Sequence, residues 1–429
     1  MTLIKTSFWS GMAVFFKMVT GFVIAKMIAL YSGPMGLAII GQFQNLIQTA
    51  QGLSGSLVQQ GVVKYVAEYW DNPEKKSRIL SSATIICISI SIVGGIVLFC
   101  LRSYIASYLK LTAYESIITL FASTLILLSM NAFLFSVLNG EREVAKYNIC
   151  NIASSIFGLI VMVYLVARYH LYGGLLALVL NQSVVFFFTL AAVTKSHWFQ
   201  LRNFMQGIDR DSLYKLSKYA LMAMVSILVT PLAQMIIRNY IGNHLSWRDA
   251  GLWQAMIRIS DAYLLLITTT LGIYYLPRLA ELQTIADLKK EIIAGYKIIL
   301  PAIMLLATGV FIFKYYIIHL LFSSQFLPMI ILFKYQLLGD VLKIGSWLLA
   351  YLMLAKAMTK LFITTEIFFS LSYVLLTMIC VHHFGLIGAT LAFAINYGLY
   401  WFCIALIMRK YLQDQVLRTQ DLCNRRPPG

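Results

Sequence analysis

The sequence predicts an all-α polytopic membrane protein, with twelve transmembrane helices in two six-helix lobes related as parallel repeats. Three observations carry this. Of 429 residues, 60% are hydrophobic and 12% charged, with a mean hydropathy of +0.79, whereas a soluble domain carries about 25% charged residues. Apolar stretches longer than about 18 residues recur from end to end. Groups of residues also match at a constant shift of 215 positions. The first two exclude a water-soluble enzyme or binding module as the bulk of the chain. Long runs, rather than short alternating ones, exclude a membrane β-barrel.

The apolar segments fall at about 7–31, 35–63, 80–101, 114–138, 147–167, 173–194, 214–241, 250–276, 295–317, 328–354, 361–381 and 385–408. Each can cross a hydrocarbon core of about 30 Å as a helix, and helix is the default because unsatisfied backbone groups are not tolerated in lipid. The first segment carries Lys17 and Lys26 and lacks a small-residue cleavage site, so no cleavable signal is expected. The six cysteines show no CxxC spacing and imply neither a metal site nor a disulfide framework.

The net charge of +17 comes from 34 Lys and Arg against 17 Asp and Glu. With the N-terminus placed in the cytoplasm, 23 of the 34 fall in inside loops and tails and five in outside loops. Loop charge that sets topology therefore accounts for the excess without nucleic acid, and both termini are expected inside. Residues 411–429 are expected to form a polar, disordered cytoplasmic tail.

At the 215-residue shift, Gly36-Leu37 falls on Gly251-Leu252, Gly173 on Gly388, Leu176-Ala177 on Leu391-Ala392, and Asn181 on Asn396. The halves are then 1–205 and 206–410. Each holds six spans, an even number, so the two have the same orientation. Parallel repeats of this kind are a transporter architecture, with the substrate site at the repeat interface.

The remaining six bases, Lys17, Lys26, Arg238, Arg258, Lys334 and Lys343, lie within spans. Each costs about 2.5–3.5 kcal/mol at mid-membrane, so they are expected to face a wet interior. Arg258 with Asp261, and Asp340 with Lys343, share a helix face by their spacing of three. Glu366 lies just inside the eleventh span. Against six bases the spans hold three acids, and a positive cavity suits an anionic, phosphate-bearing substrate. Lys17 and Arg258, the deepest of the bases, lead the candidates to hold such phosphates, with Lys26, Arg238 and Lys343 as a wider lining and Asp261 orienting Arg258. Lys26, Arg238 and Lys334 also lie near enough to the outer ends to snorkel. The second span carries an amide stripe that includes Gln42 and Asn45, able either to glue helices together or to line a path for sugar hydroxyls. No Walker motif, HExxH or GxSxG is present, so no catalytic residues, metal or bound cofactor are assigned, and proton or sodium coupling stays open.

Several stretches resemble the polysaccharide transporter family of the multidrug/oligosaccharidyl-lipid/polysaccharide exporter superfamily. They are Gly33-Pro34-Met35-Gly36-Leu37, the run from Val63 to Tyr69, Asp71-Asn72-Pro73, Gly251-Leu252-Trp253-Gln254, the run from Ile259 to Leu264, Tyr275-Leu276-Pro277, and the run from Gln336 to Lys343. The likeness extends to about residue 410 and is strongest to flippases of enterobacterial common antigen and O-antigen units. The resemblance implies two six-helix lobes in a V around a cationic central cavity. It implies an undecaprenyl-pyrophosphate-linked oligosaccharide moved from the cytoplasmic to the periplasmic leaflet by alternating access. Its implied partners are a repeat-unit polymerase and a chain-length regulator. Alternatives are a cation-coupled multidrug exporter of the same fold, disfavoured by the basic excess, and a peptidoglycan-precursor flippase, whose relatives commonly have fourteen spans. A membrane glycosyltransferase or ligase would need a large outside loop, and none exceeds about 13 residues.

Overall fold

The computed structural model describes residues 3–204, 206–282 and 284–424, with side chains undescribed at 3–15, 17, 55–57, 182, 215, 217–223, 226 and 414–424. Among these residues there is no strand. The helices are α1 (Leu3–Gln51), α2 (Leu57–Glu68), α3 (Pro73–Cys100), α4 (Arg102–Tyr108), α5 (Glu115–Gly140), α6 (Val144–Thr194), α7 (Arg210–His244) and α8 (Trp247–Thr270). They continue with α9 (Leu276–Glu281), α10 (Ile285–Ile312), α11 (Lys314–Leu321), α12 (Phe333–Ala355), α13 (Thr359–Phe384) and α14 (Ile387–Asn424). Among the described residues, nine helical runs are long and apolar enough to cross a membrane. Two of them each contain two predicted spans, because α1 breaks at Gly33 and α6 at His170. With α7, some of whose side chains are undescribed, these account for all twelve.

Local chemistry explains the ends and breaks. Pro34 restricts the residue before it and cannot donate a backbone hydrogen bond, and Gly33 there takes φ 62°. Asn72 caps α3 by accepting from the Lys75 amide, with Pro73 in the first turn. Ser246 and Thr284 cap α8 and α10 in the same way. The second and eighth spans each contain one π-helical turn, at Gly52–Ser56 and Leu271–Tyr275. Residues 411–424, expected to be a disordered tail, instead continue α14 as helix; the stretch Tyr411-Leu412-Gln413-Asp414-Gln415-Val416-Leu417-Arg418 has no Gly or Pro and is rich in helix formers.

The 215-residue shift reappears in the backbone. His170 (φ 49°) and Gly385 (φ 61°) turn the chain between consecutive spans at equivalent positions, as do Arg142 (φ 55°) and Ala357 (φ 50°). Three residues after the first of these turns the helices approach their own preceding segment. A Cβ on Gly173 would lie 1.9 Å from the Leu165 carbonyl oxygen, and one on Gly388 would lie 2.1 Å from that of Cys380. Both obstacles are backbone and cannot swing away. Gly173→Ala and Gly388→Ala are each expected to destabilise the protein by about 3 kcal/mol, read as thermal midpoint in detergent. Gly21→Ala, where nothing lies within 4 Å, should leave the midpoint unchanged.

Compactness divides the chain into one unit of residues 1–239 with 320–323, and a second of 240–319 with 324–429. The first contains a core of Val58, Val62, Val66, Leu80, Phe133, Val137 and Phe204. The second contains Leu264, Ile303 and Ile344 with Tyr263, Ile299 and Val341 packed on them. Outer faces are apolar: Ile92, Val93, Ile96 and Val97 on α3 are exposed, as a helix facing hydrocarbon requires.

Candidate functional site

In the first unit, Arg238 on α7 is fully buried and donates to Gln42 Oε1 of α1 at 2.6 Å. Gln42 in turn donates to the Met235 carbonyl at 3.2 Å. One turn further along α1, Asn45 donates to Gln234 Oε1 at 3.2 Å and to the Pro231 carbonyl at 3.4 Å. Pro231 sits inside α7. The two amides named by the sequence therefore tie α1 to α7, and Gln42 holds the Arg238 guanidinium from one side. That is the gluing role of the two open to such a stripe. Lys26, half-buried, donates to the Phe322 carbonyl. The Lys17 side chain lies outside the described residues.

In the second unit, Asp340 on α12 is fully buried. Its Oδ2 accepts from Ser260 at 2.7 Å and Tyr263 at 2.5 Å, both on α8, and its Oδ1 accepts from Gln336 at 3.2 Å. Lys343, one turn on, faces the rings of Trp347, Tyr397 and Phe393, at 4.9, 5.7 and 5.9 Å from their centres. It interacts electrostatically with three carboxylates, Asp261, Asp340 and Glu366. Arg258 is half-buried on α8 and acts on Asp261, which is exposed. Lys334 is exposed over Tyr335 and lines an outward cleft of about 340 Å³ with Phe311 and Leu338.

The structure thus gathers the sequence-predicted residues into two groups. Gln42, Asn45 and Arg238 share one, with Lys26 elsewhere in the same unit. Asp261, Asp340, Lys343 and Arg258 share the other. Spacing alone paired Asp340 with Lys343, but the oxygens of Asp340 are occupied by neutral donors. Ser260, Tyr263 and Gln336 were not singled out. Gln336, Asp340 and Lys343 at i, i+4 and i+7 were the available signal.

The described fold is that of an all-helical, many-span membrane protein with polar groups buried between its helices. By likeness, 92% of the chain aligns on 95% of a multidrug resistance MATE family transporter of the MOP superfamily in an inward-facing conformation, with TM-score 0.78 and 14% identity. The family model described as polysaccharide biosynthesis protein matches residues 38–331. The Lipid III flippases of Escherichia coli (strain K12) and Shigella flexneri are each 30% identical over 408 residues, which is 94% of this chain and 97% of theirs. The chain belongs to the polysaccharide biosynthesis protein family.

Proposed function

We propose that this protein is a flippase for a diphosphate-linked oligosaccharide on a polyprenyl carrier. The observation that carries the reading is the buried Arg238, held by an amide inside a membrane-spanning bundle, since a charge there is costly and by default points to a substrate path. Relatives named Lipid III flippases support it. In this reading the lipid is undecaprenyl pyrophosphate and the glycan an enterobacterial common antigen or O-antigen unit. Movement runs from the cytoplasmic to the periplasmic leaflet by alternating access, with both termini cytoplasmic. A repeat-unit polymerase and a chain-length regulator would take the product onward. Arg258 and Lys17 lead the diphosphate contacts, an Arg fork with a Lys point charge, and Lys26, Arg238 and Lys343 extend the positive lining. Asp261 keeps Arg258 compensated while no substrate is bound.

The test is complementation of a flippase-null strain, with membrane abundance followed by blot. The wild-type chain should restore surface glycan. Lys17→Ala and Arg258→Ala should abolish it, by about a hundredfold or more, at normal abundance. Asp261→Asn should weaken turnover less. Full complementation by both alanine variants would make these charges structural. The three carboxylates of the second unit, Asp261, Asp340 and Glu366, are the feature suited to a cationic cargo. Under the flippase reading, expression leaves resistance to cationic drugs unchanged.

A further inference from the structure

The loop between α2 and α3 and the turn between α5 and α6 place an indole and two cations together in the first unit. Trp70 is 46% exposed. Over its ring lie the Lys76 ammonium, 5.7 Å from the centre, and the Arg142 guanidinium, 5.6 Å from it. Glu141, buried, anchors Lys76 through an ion pair of 2.9 Å. Arg142 itself has no carboxylate partner among the described residues. Lys75 beside Tyr69 and Lys64 beside Tyr65 add further cations along the same edge, at 5.8 and 5.1 Å.

The backbone makes this placement unusual. α5 ends with Glu143 N–H bonding the Leu138 carbonyl and Arg142 N–H bonding that of Asn139. Arg142 therefore occupies the left-handed position that favours glycine. Such a residue is a pointer to function when something else is gained by keeping it. The second repeat closes its equivalent turn in the same way, through Met358 and Ala357, so the turn has no need of an arginine. At the other positions 215 residues on stand Ile285, Glu291 and Lys356, in place of Trp70, Lys76 and Glu141. The indole and its cations belong to the first repeat alone.

We infer that Trp70, Lys76 and Arg142 form a docking site for the diphosphate group of a lipid-linked sugar at the membrane surface, separate from the cations within the spans. The inference rests on the flippase reading, and basic loops assign this end to the cytoplasmic leaflet. The indole positions the two cations by cation–π attraction. A diphosphate has enough charged oxygens to accept from both the fork of Arg142 and the ammonium of Lys76. Phospholipid headgroups share part of this chemistry, so the experiment separates the two.

Fluorine-labelled tryptophan incorporated into the full chain gives Trp70 its own resonance, assigned by its loss in Trp70→Phe. Citronellyl diphosphate-N-acetylglucosamine, titrated into phosphatidylcholine nanodiscs, is expected to shift that resonance. Half-saturation should rise about tenfold in Arg142→Ala, the residue type of the equivalent turn. Arg142→Gly should lose binding equally while its thermal midpoint rises, since glycine relieves the left-handed backbone. A resonance unmoved at saturating probe, or one that shifts in both variants with the wild-type half-saturation, overturns the site. So does a shift seen only on adding phosphatidylglycerol, which makes the cluster an interfacial anchor. Complementation by the wild-type chain, scored in parallel, tells failure of this site from failure of the flippase reading.

Discussion

Asp340→Ala is expected to prevent accumulation of the folded protein. The carboxylate is fully buried and accepts from Ser260, Tyr263 and Gln336. Its removal leaves a hydroxyl, a phenol and an amide without their acceptor. Each orphaned donor costs about 1–3 kcal/mol, and within a bilayer-spanning helix bundle bulk water does not replace the lost partner. The sum, about 3–9 kcal/mol, reaches the whole stability of a typical domain. Lys343 also loses one of the three carboxylates that act on it. Asp340→Asn should be much milder. It keeps the shape and one carbonyl oxygen for Ser260 and Tyr263, and the Gln336 amide can turn its oxygen toward the new NH₂. Membrane abundance and thermal midpoint separate the two. An alanine variant that melts normally would show that the three donors find other acceptors.

Arg238→Met combined with Gln42→Leu is expected to fold and to lose transport. Replacing both partners of a buried hydrogen bond by apolar groups of similar shape is often nearly neutral, whereas deleting one strands the other at a cost of about 1–3 kcal/mol, more where the stranded group is charged. If Arg238 serves only to join α7 to α1, the double variant therefore exports glycan normally. If the guanidinium meets the diphosphate, surface glycan should fall by about a hundredfold while abundance is kept. Gln42→Leu alone should lower abundance, because it removes one acceptor, at 2.6 Å, from a fully buried guanidinium. Arg238→Lys keeps the charge but not the planar fork and should transport partially. Glycan export by the double variant at wild-type level would remove Arg238 from the substrate path.

What could be read along the chain were the features confined to one helix or one turn. The lengths of the apolar runs predict the spans because the bilayer imposes both a length and full backbone hydrogen bonding. Gly33-Pro34 marks the break in α1 because proline chemistry is local. The 215-residue shift, visible as Gly173 and Gly388, returns as the same two backbone approaches. The tail beyond residue 410 was less legible, since polarity alone does not tell a solvated helix from a disordered segment.

The amino-acid sequence by itself determined that this is a many-span helical membrane protein with a doubled plan and cations inside its spans, since those properties depend on composition, period and repeat. It also placed Asp340 and Lys343 on one helix face. Only the tertiary structure decided which groups those charges meet. Ser260 and Tyr263 lie about 80 residues from Asp340, and Gln42 nearly 200 from Arg238. Trp70 and Arg142 meet across two separate loops. Helical spacing governs contacts over three or four residues, whereas these contacts depend on which helix packs against which, and one sequence does not encode that as a local pattern.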